Sequence, residues 1–242
     1  MRDSVAKVVD AFLTEADASV GPTYSAILYG SAARGDYIPG RSNINLMLVI
    51  DQITPQVLRS LGRGFTGWRK SGREPPLLLS RVEWDRASDA FPIEITDMRT
   101  AYKVLRGADP LQEVRVEPAD LRKALEREFR GKLLRLRQGY ATYAPDPAAL
   151  GSLALQSAAT ILVLLRGVLI LLGKTVPHDS LELAAAAAAA VGFEGEHLLH
   201  VVRHRVDREW RCEAPEFENY MEAVEHTARF LDQLQLGDRD EP

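Results

Sequence analysis

The stretch YSAILYGSAARGDYIPGRSNINLMLVI, residues 24–50, decides the fold. Tyr24 to Tyr29 is a short aromatic and apolar run bounded by turn residues, which predicts a strand. A small-residue loop follows, Gly30-Ser31-Ala32-Ala33-Arg34-Gly35-Asp36, and then a turn at Pro39-Gly40. Asn43 to Ile50 predicts a second strand. Its Met47-Leu48-Val49-Ile50 end is apolar without alternation, as in strands covered on both faces. Gly30 lacks a Cβ, so backbone there can approach a ligand. Consecutive N–H groups in such a turn form an anion-binding nest. Ser31 adds a hydroxyl, and Arg34 adds a planar, permanently charged phosphate partner. A Gly-Ser turn after a strand is also an ordinary turn. Asn43 and Asn45 stand two apart, so a continuous strand points both side chains to one face. Two polar side chains ahead of an apolar run mean either an exposed strand start or a ligand site.

Working outward, residues 3–18 carry Val5, Val8, Val9, Phe12 and Leu13 at helical spacing, and Gly21-Pro22 ends that helix. Thr54 or Asp51 is a candidate cap for a helix running to about Lys70. Leu77 to Ser80 predicts a third strand, Val82 to Ala87 a short helix, Pro92 to Thr96 a fourth strand, and Asp97 to Leu105 a helix. This alternation, to about residue 115, is an α/β pattern with a short mixed sheet. From residue 116 onward only helices are predicted: Asp120 to Tyr143, Ala148 to Leu172, Ser180 to Val191, His197 to Trp210 and Glu216 to Leu236. The domains are thus expected at 1–115 and 116–242, with Gly237 to Pro242 a polar tail. The seven alanines from Ala184 to Ala190 favour helix and close packing.

Composition narrows the function classes. The chain has 242 residues, is 46% hydrophobic and 26% charged, and carries a net charge of −4, so generic nucleic-acid binding is not expected. The single cysteine, Cys212, forms no intrachain disulfide. With no apolar leader in the opening residues, a cytoplasmic location is the expectation. Ala148 to Leu172 has the length of a membrane span. Gln156, Ser157 and Arg166 interrupt it, and a central Arg costs about 2.5–3.5 kcal/mol on insertion scales. A buried bundle helix is therefore expected.

Gly30-Ser31, eleven intervening residues, then Asn43-Ile44-Asn45-Leu46 resembles the nucleotidyltransferase (polymerase-β-like) superfamily. That superfamily's motif is a hydrophobic residue, Gly, Gly or Ser, a spacer, then acid-hydrophobic-acid-hydrophobic on a strand. The string from Gly30 to Asp36 resembles the bacterial small-substrate branch, which includes minimal and kanamycin-type nucleotidyltransferases. The likeness spans roughly residues 24–110. It implies Mg²⁺ and a nucleoside triphosphate as cofactors, and a phosphate cradle at Gly30, Ser31 and Arg34. It implies a metal face at Asn43, Asn45 and Glu94, with Glu94 matched to a third acid on a later strand. The departure lies in the asparagines. Mg²⁺ prefers charged oxygens, whereas Asn offers a neutral carbonyl and an NH₂ that repels the ion. At about 4 Å and an effective dielectric of about 20, one unit charge is worth about 4 kcal/mol against another. Losing two such charges predicts weak or absent metal binding and a pseudoenzyme or very slow enzyme. Asp36, Asp51 and Asp97 are candidate replacement acids.

The helical half resembles the bundles of kanamycin-nucleotidyltransferase-like and HEPN-type proteins. Ribonucleases of the latter type carry Arg, a short spacer, then His. No Arg stands five to seven positions before any of the five histidines, which argues against ribonuclease activity. The apolar helix faces are core first and a homodimer surface second. Arg59, Arg63, Arg69, Lys70 and Arg73, with Trp68 among them, read either as a phosphate or RNA surface or as a solvated helix face. His197, His200 and His204 share neighbouring turns but lack the Glu of His-Glu-x-x-His, which favours packing over metal binding. Three functions remain open. The first is a degenerate nucleotidyltransferase-fold protein that retains nucleotide binding. The second is an active enzyme moving a nucleotidyl group to a small-molecule or protein hydroxyl. The third is a non-catalytic, antitoxin-like interaction module.

Overall fold

The computed structural model describes residues 3–21, 23–35, 37, 43–70, 74–207 and 209–236. The expected features at Pro22, Asp36, Pro39-Gly40, Arg73 and the 237–242 tail lie outside them. The chain divides into two compact units, Met1–Val116 and Glu117–Pro242.

In the first unit the elements run α1 (Asp3–Val20), β1 (Ser25–Tyr29), α2 (Ser31–Arg34), β2 (Asn45–Ile50), α3 (Pro55–Ser60), α4 (Gly62–Arg69), β3 (Leu77–Ser80), α5 (Arg81–Asp85), α6 (Ala87–Ala90), α7 (Pro92–Thr100) and β4 (Tyr102–Arg106). The sheet order is β3-β2-β1-β4. β1 is antiparallel to both β2 and β4, while β3 runs parallel to β2. Both faces of the sheet are covered. Ala26, Leu28, Leu46, Leu48 and Ile50 join Val9, Phe12 and Leu13 of α1 and Trp68 of α4. The alternate residues Ile27, Met47 and Val49 join Trp84, Ile95 and Met98. This two-sided burial accounts for the unalternated apolar end of β2.

Local chemistry sets the borders. Thr54 caps α3, its side chain accepting from Val57 N at 3.2 Å. Ser80 and Glu83 form a capping box at the start of α5. The expected long helix to Lys70 is two short ones, α3 and α4. On α4, a Cβ on Gly64 would lie 3.3 Å from Phe12, so this glycine lets α4 lie close on α1. Phe12 meets Phe65 and Trp68 edge-on at 5.2 and 5.4 Å.

Residues 92–105 depart furthest from the sequence expectation. Residues 92–96, expected as a strand, form the first turns of α7, and 97–105 divides into the end of α7 and strand β4. Ile93, Ile95 and Thr96 have strand propensity, but Pro92 occupies the first helical turn, where its missing N–H costs nothing. The helix buries Ile93, Ile95, Thr96 and Met98, a set of positions that a half-buried strand, burying every second residue, does not provide. Packing overrode propensity here.

A charged tie joins α1 to the sheet. Tyr24 Oη donates to Asp17 Oδ1 at 2.6 Å, and Arg106 Nη2 donates to Asp17 Oδ2 at 3.1 Å. Burial pushes the Asp17 carboxyl up, but the hydrogen bonds from Arg106 and Tyr24 outweigh it and hold the group below the ordinary carboxylate range. A depressed folded pKa gives stability that is present above the unfolded pKa. That stability is lost as pH falls through the folded value. Acid titration of unfolding should therefore show a loss below about pH 4 that is visibly smaller in Arg106→Gln. Parallel acid profiles for the two proteins would contradict the tie.

The second unit contains α8 (Pro118–Tyr143), α9 (Pro147–Leu171), α10 (Ser180–Val191), α11 (Glu196–His204) and α12 (Ala214–Gln233). Its core uses Leu125, Phe129 and Leu136 of α8, Leu150, Ala154 and Leu165 of α9, and Phe217, Tyr220 and Leu231 of α12. The buried Tyr220 hydroxyl meets Ser157 Oγ at 2.7 Å, so the polar group of α9 has a partner. α9 is long and apolar enough to cross a membrane. Half of its most apolar window is buried inside the protein, and it packs on α8, α10, α11 and α12, as a bundle's core helix does. In α10, Ala184, Ala187 and Ala188 are buried, and α10 packs directly on α9.

Candidate functional site

Asn45 opens β2 and pairs across the sheet with Tyr29, which pairs in turn with Tyr102 of β4. Tyr29 and Tyr102 pack on the Trp84–Ile95–Met98 side of the sheet. Asn45, two and four residues before Met47 and Val49, faces that same side by alternation. The three side chains form a row across one end of the sheet. Sequence reading missed both tyrosines. The available signal was position: Tyr29 ends its strand immediately before Gly30.

Gly30 follows at once. Its φ of +70° and ψ of −148° lie in backbone space that only glycine enters cheaply. A Cβ at this position would stand 2.9 Å from Asn45 Nδ2. Two requirements therefore coincide at Gly30: an unusual dihedral pair and a side-chain amide lying directly against the main chain. Its N–H is held by Ala101 O at 2.9 Å. The expected loop after it is one helical turn, α2, closed by Gly35 in the left-handed region at φ +102°. Ala32 and Ala33 are buried beneath the turn, while Ser31 and Arg34 are half-buried. Arg34 sits in the last turn of α2.

Asn43 lies ahead of β2 and is exposed, so strand alternation fixes the face of Asn45 alone. Glu94 is exposed on α7 and not on a strand. It remains close to the row. Burial pushes the Tyr29 phenol up, and the charges of Asp97 and then Glu94 push it further. These two acids are three apart on α7, on neighbouring turns. The structure thus gathers Gly30, Asn45, Tyr29, Glu94 and Asp97 at one end of the sheet. Asp51, another candidate acid, stands just past the opposite end of β2 and pairs with Arg81 at 3.8 Å.

A two-ion Mg²⁺ site needs several carboxylate oxygens in near-octahedral arrangement. Among the described residues, no group of three or more His, Cys, Asp or Glu side chains is placed to hold a metal. The donors available at Asn43 and Asn45 are neutral amides. This donor set does not fit the Mg²⁺ that the sequence resemblance implies.

The His200–His204 pair and Cys212 resolve into packing. His200 and His204 lie 4.6 Å apart, and His204 stacks on Trp210 at 4.8 Å and 11°. His200 Nε2 stands 3.3 Å from Glu216 Oε1, tying α11 to α12. Burial pushes the Cys212 thiol up to about 12, which suppresses thiolate chemistry. Trp68 is buried and so offers no stacking platform for bases, and Arg63 pairs with Glu15 at 3.4 Å.

No protein-family model matches the sequence, and no curated protein matches it. Among solved structures, the chain is similar to spectinomycin adenyltransferase AAD(9) from Enterococcus faecialis, determined with ATP and spectinomycin. The TM-score is 0.60 at 12% identity, over 94% of this chain and 99% of that one. At this identity the likeness concerns architecture: a small mixed sheet with helices, then a helical region, in the fold of a nucleotidyltransferase.

Proposed function

We propose that this protein binds a nucleoside triphosphate at the Gly30 turn and has lost most or all of the metal-dependent transfer chemistry of its fold. One observation carries the reading: the Asn45 amide lies against Gly30, where the resemblance expects a metal-binding carboxylate. The neighbour's nucleotide and its small acceptor make ATP the first ligand to test. Ser31 and Arg34 supply the proposed phosphate contacts, and Gly30, whose N–H is held by Ala101 O, supplies close backbone approach through its missing Cβ. Asn43 and Asn45 mark the degenerate metal positions, and Glu94 is the residual acid.

Without carboxylates to hold Mg²⁺ at these positions, no divalent charge would offset the triphosphate there as pyrophosphate leaves. Each 1.4 kcal/mol of lost stabilisation is about tenfold in rate. The expected result is calorimetrically detectable ATP binding with no Mg²⁺-dependent adenylyl transfer to spectinomycin, to other small hydroxyl acceptors, or to the protein itself. Robust metal-dependent transfer by the unaltered sequence would instead establish the second reading. That reading draws on Glu94 and Asp97, the acids near Tyr29, as relocated ligands. Absence of any nucleotide binding would leave an interaction module.

A further inference from the structure

The mismatch between the donor set and Mg²⁺ has a positive consequence. In a carboxylate-lined nucleotide site, phosphate oxygens and side-chain oxygens carry the same sign, and a divalent cation must bridge them. An asparagine in that position brings no charge. Turned either way, its amide keeps two N–H donors, the groups a phosphate accepts from. Asn45 is half-buried, and its Nδ2 is the nearest atom to the space beside Gly30, 2.9 Å from where a Cβ would stand. The missing Cβ leaves that donor and the Gly30 main chain side by side.

Resting on the nucleotide-pocket reading above, we infer that Asn45 is a direct phosphate donor, so that the site takes the polyphosphate of a nucleotide without a divalent cation. The amide then converts a cation-bridged site into a hydrogen-bonding one. Retention of ligand without turnover suits sensing or regulation better than transfer.

The test is titration calorimetry of the full chain with ATP, once in EDTA and once in excess Mg²⁺. It is repeated with Asn45→Asp and Asn45→Ala, after circular dichroism has shown that both variants are folded. The unaltered protein should bind ATP with dissociation constants within about threefold in the two conditions. Asn45→Asp should lose about tenfold or more in EDTA, because it places a like charge against phosphate. Asn45→Ala, which removes the donors and adds no charge, should lose less than Asn45→Asp does. Binding by the unaltered protein only with Mg²⁺, or equal EDTA affinities for Asn45→Asp and the unaltered protein, overturns the inference and leaves the nucleotide pocket standing. No ATP binding in either condition overturns the pocket, and the inference with it.

Discussion

The double variant Asn43→Asp/Asn45→Asp is expected to acquire divalent-ion binding that the unaltered protein lacks. Each new carboxylate adds a charged oxygen donor of the kind Mg²⁺ prefers. At an effective dielectric of about 20 and a separation of about 4 Å, one unit charge against a divalent ion is worth about 8 kcal/mol before desolvation. Even a quarter of that surviving exceeds a tenfold gain per carboxylate, so the pair should raise Mg²⁺ affinity by at least about a hundredfold. The signature is visible in stability without any turnover. A ligand that binds only the folded state raises the melting temperature with its concentration. Millimolar Mg²⁺ should therefore raise the melting temperature of the double variant and leave that of the unaltered protein unchanged. In EDTA the variant should melt below the unaltered protein, because the charge at position 45 is added opposite Tyr29, whose phenol already feels Asp97 and Glu94. Equal Mg²⁺ responses from the two proteins would mean that positions 43 and 45 do not face a common ion. Exposure of Asn43 ahead of β2 makes that the outcome to watch.

Gly151→Ala in α9 should destabilise the helical unit by about 2–4 kcal/mol, although alanine is the better helix former. In an open helix interior the same change stabilises by up to about 1 kcal/mol. Here a Cβ would lie 2.2 Å from Trp210 O and 3.3 Å from Cys212 N. Those are main-chain atoms, and Cys212 N is itself bonded to Pro147 O at 2.9 Å, so the strap cannot retreat without losing that bond. Gly131 in α8 is the internal control, since a Cβ there meets nothing within 4 Å. Gly131→Ala should stabilise by about 0.5–1 kcal/mol. Chemical denaturation of the two variants should move in opposite directions. A shift of the same sign in both would remove the case for close passage of the 210–212 segment over α9.

The site was legible in part. Gly30 could be picked out from its place between a strand and a small-residue run, and the structure gives it a backbone that suits only glycine together with an amide against its face. Tyr29 escapes notice because an aromatic residue at a strand end reads as core, and Tyr102 because the sequence pattern places 97–105 in a helix. Only the sheet register shows that both share a row with Asn45. Glu94 was assigned to a strand through Ile93, Ile95 and Thr96, whose strand propensity is real but weaker than the burial gained by a helix started at Pro92. Its neighbour Asp97 gained significance from the same correction, because helical spacing brings residues three apart onto neighbouring turns.

Most of the elements, the turn at Gly30 and the uncharged amides at Asn43 and Asn45 are properties of the sequence itself. They rest on local rules: periodicity, the conformational range of glycine, and the charge a side chain does or does not carry. Tertiary structure decided the rest: which strand pairs with which, the helical state of 92–100, the burial of Trp68 and the approach of Trp210 to Gly151. Those outcomes depend on contacts between residues far apart in the chain, where burying apolar surface on both faces of the sheet outweighs any single residue's preference.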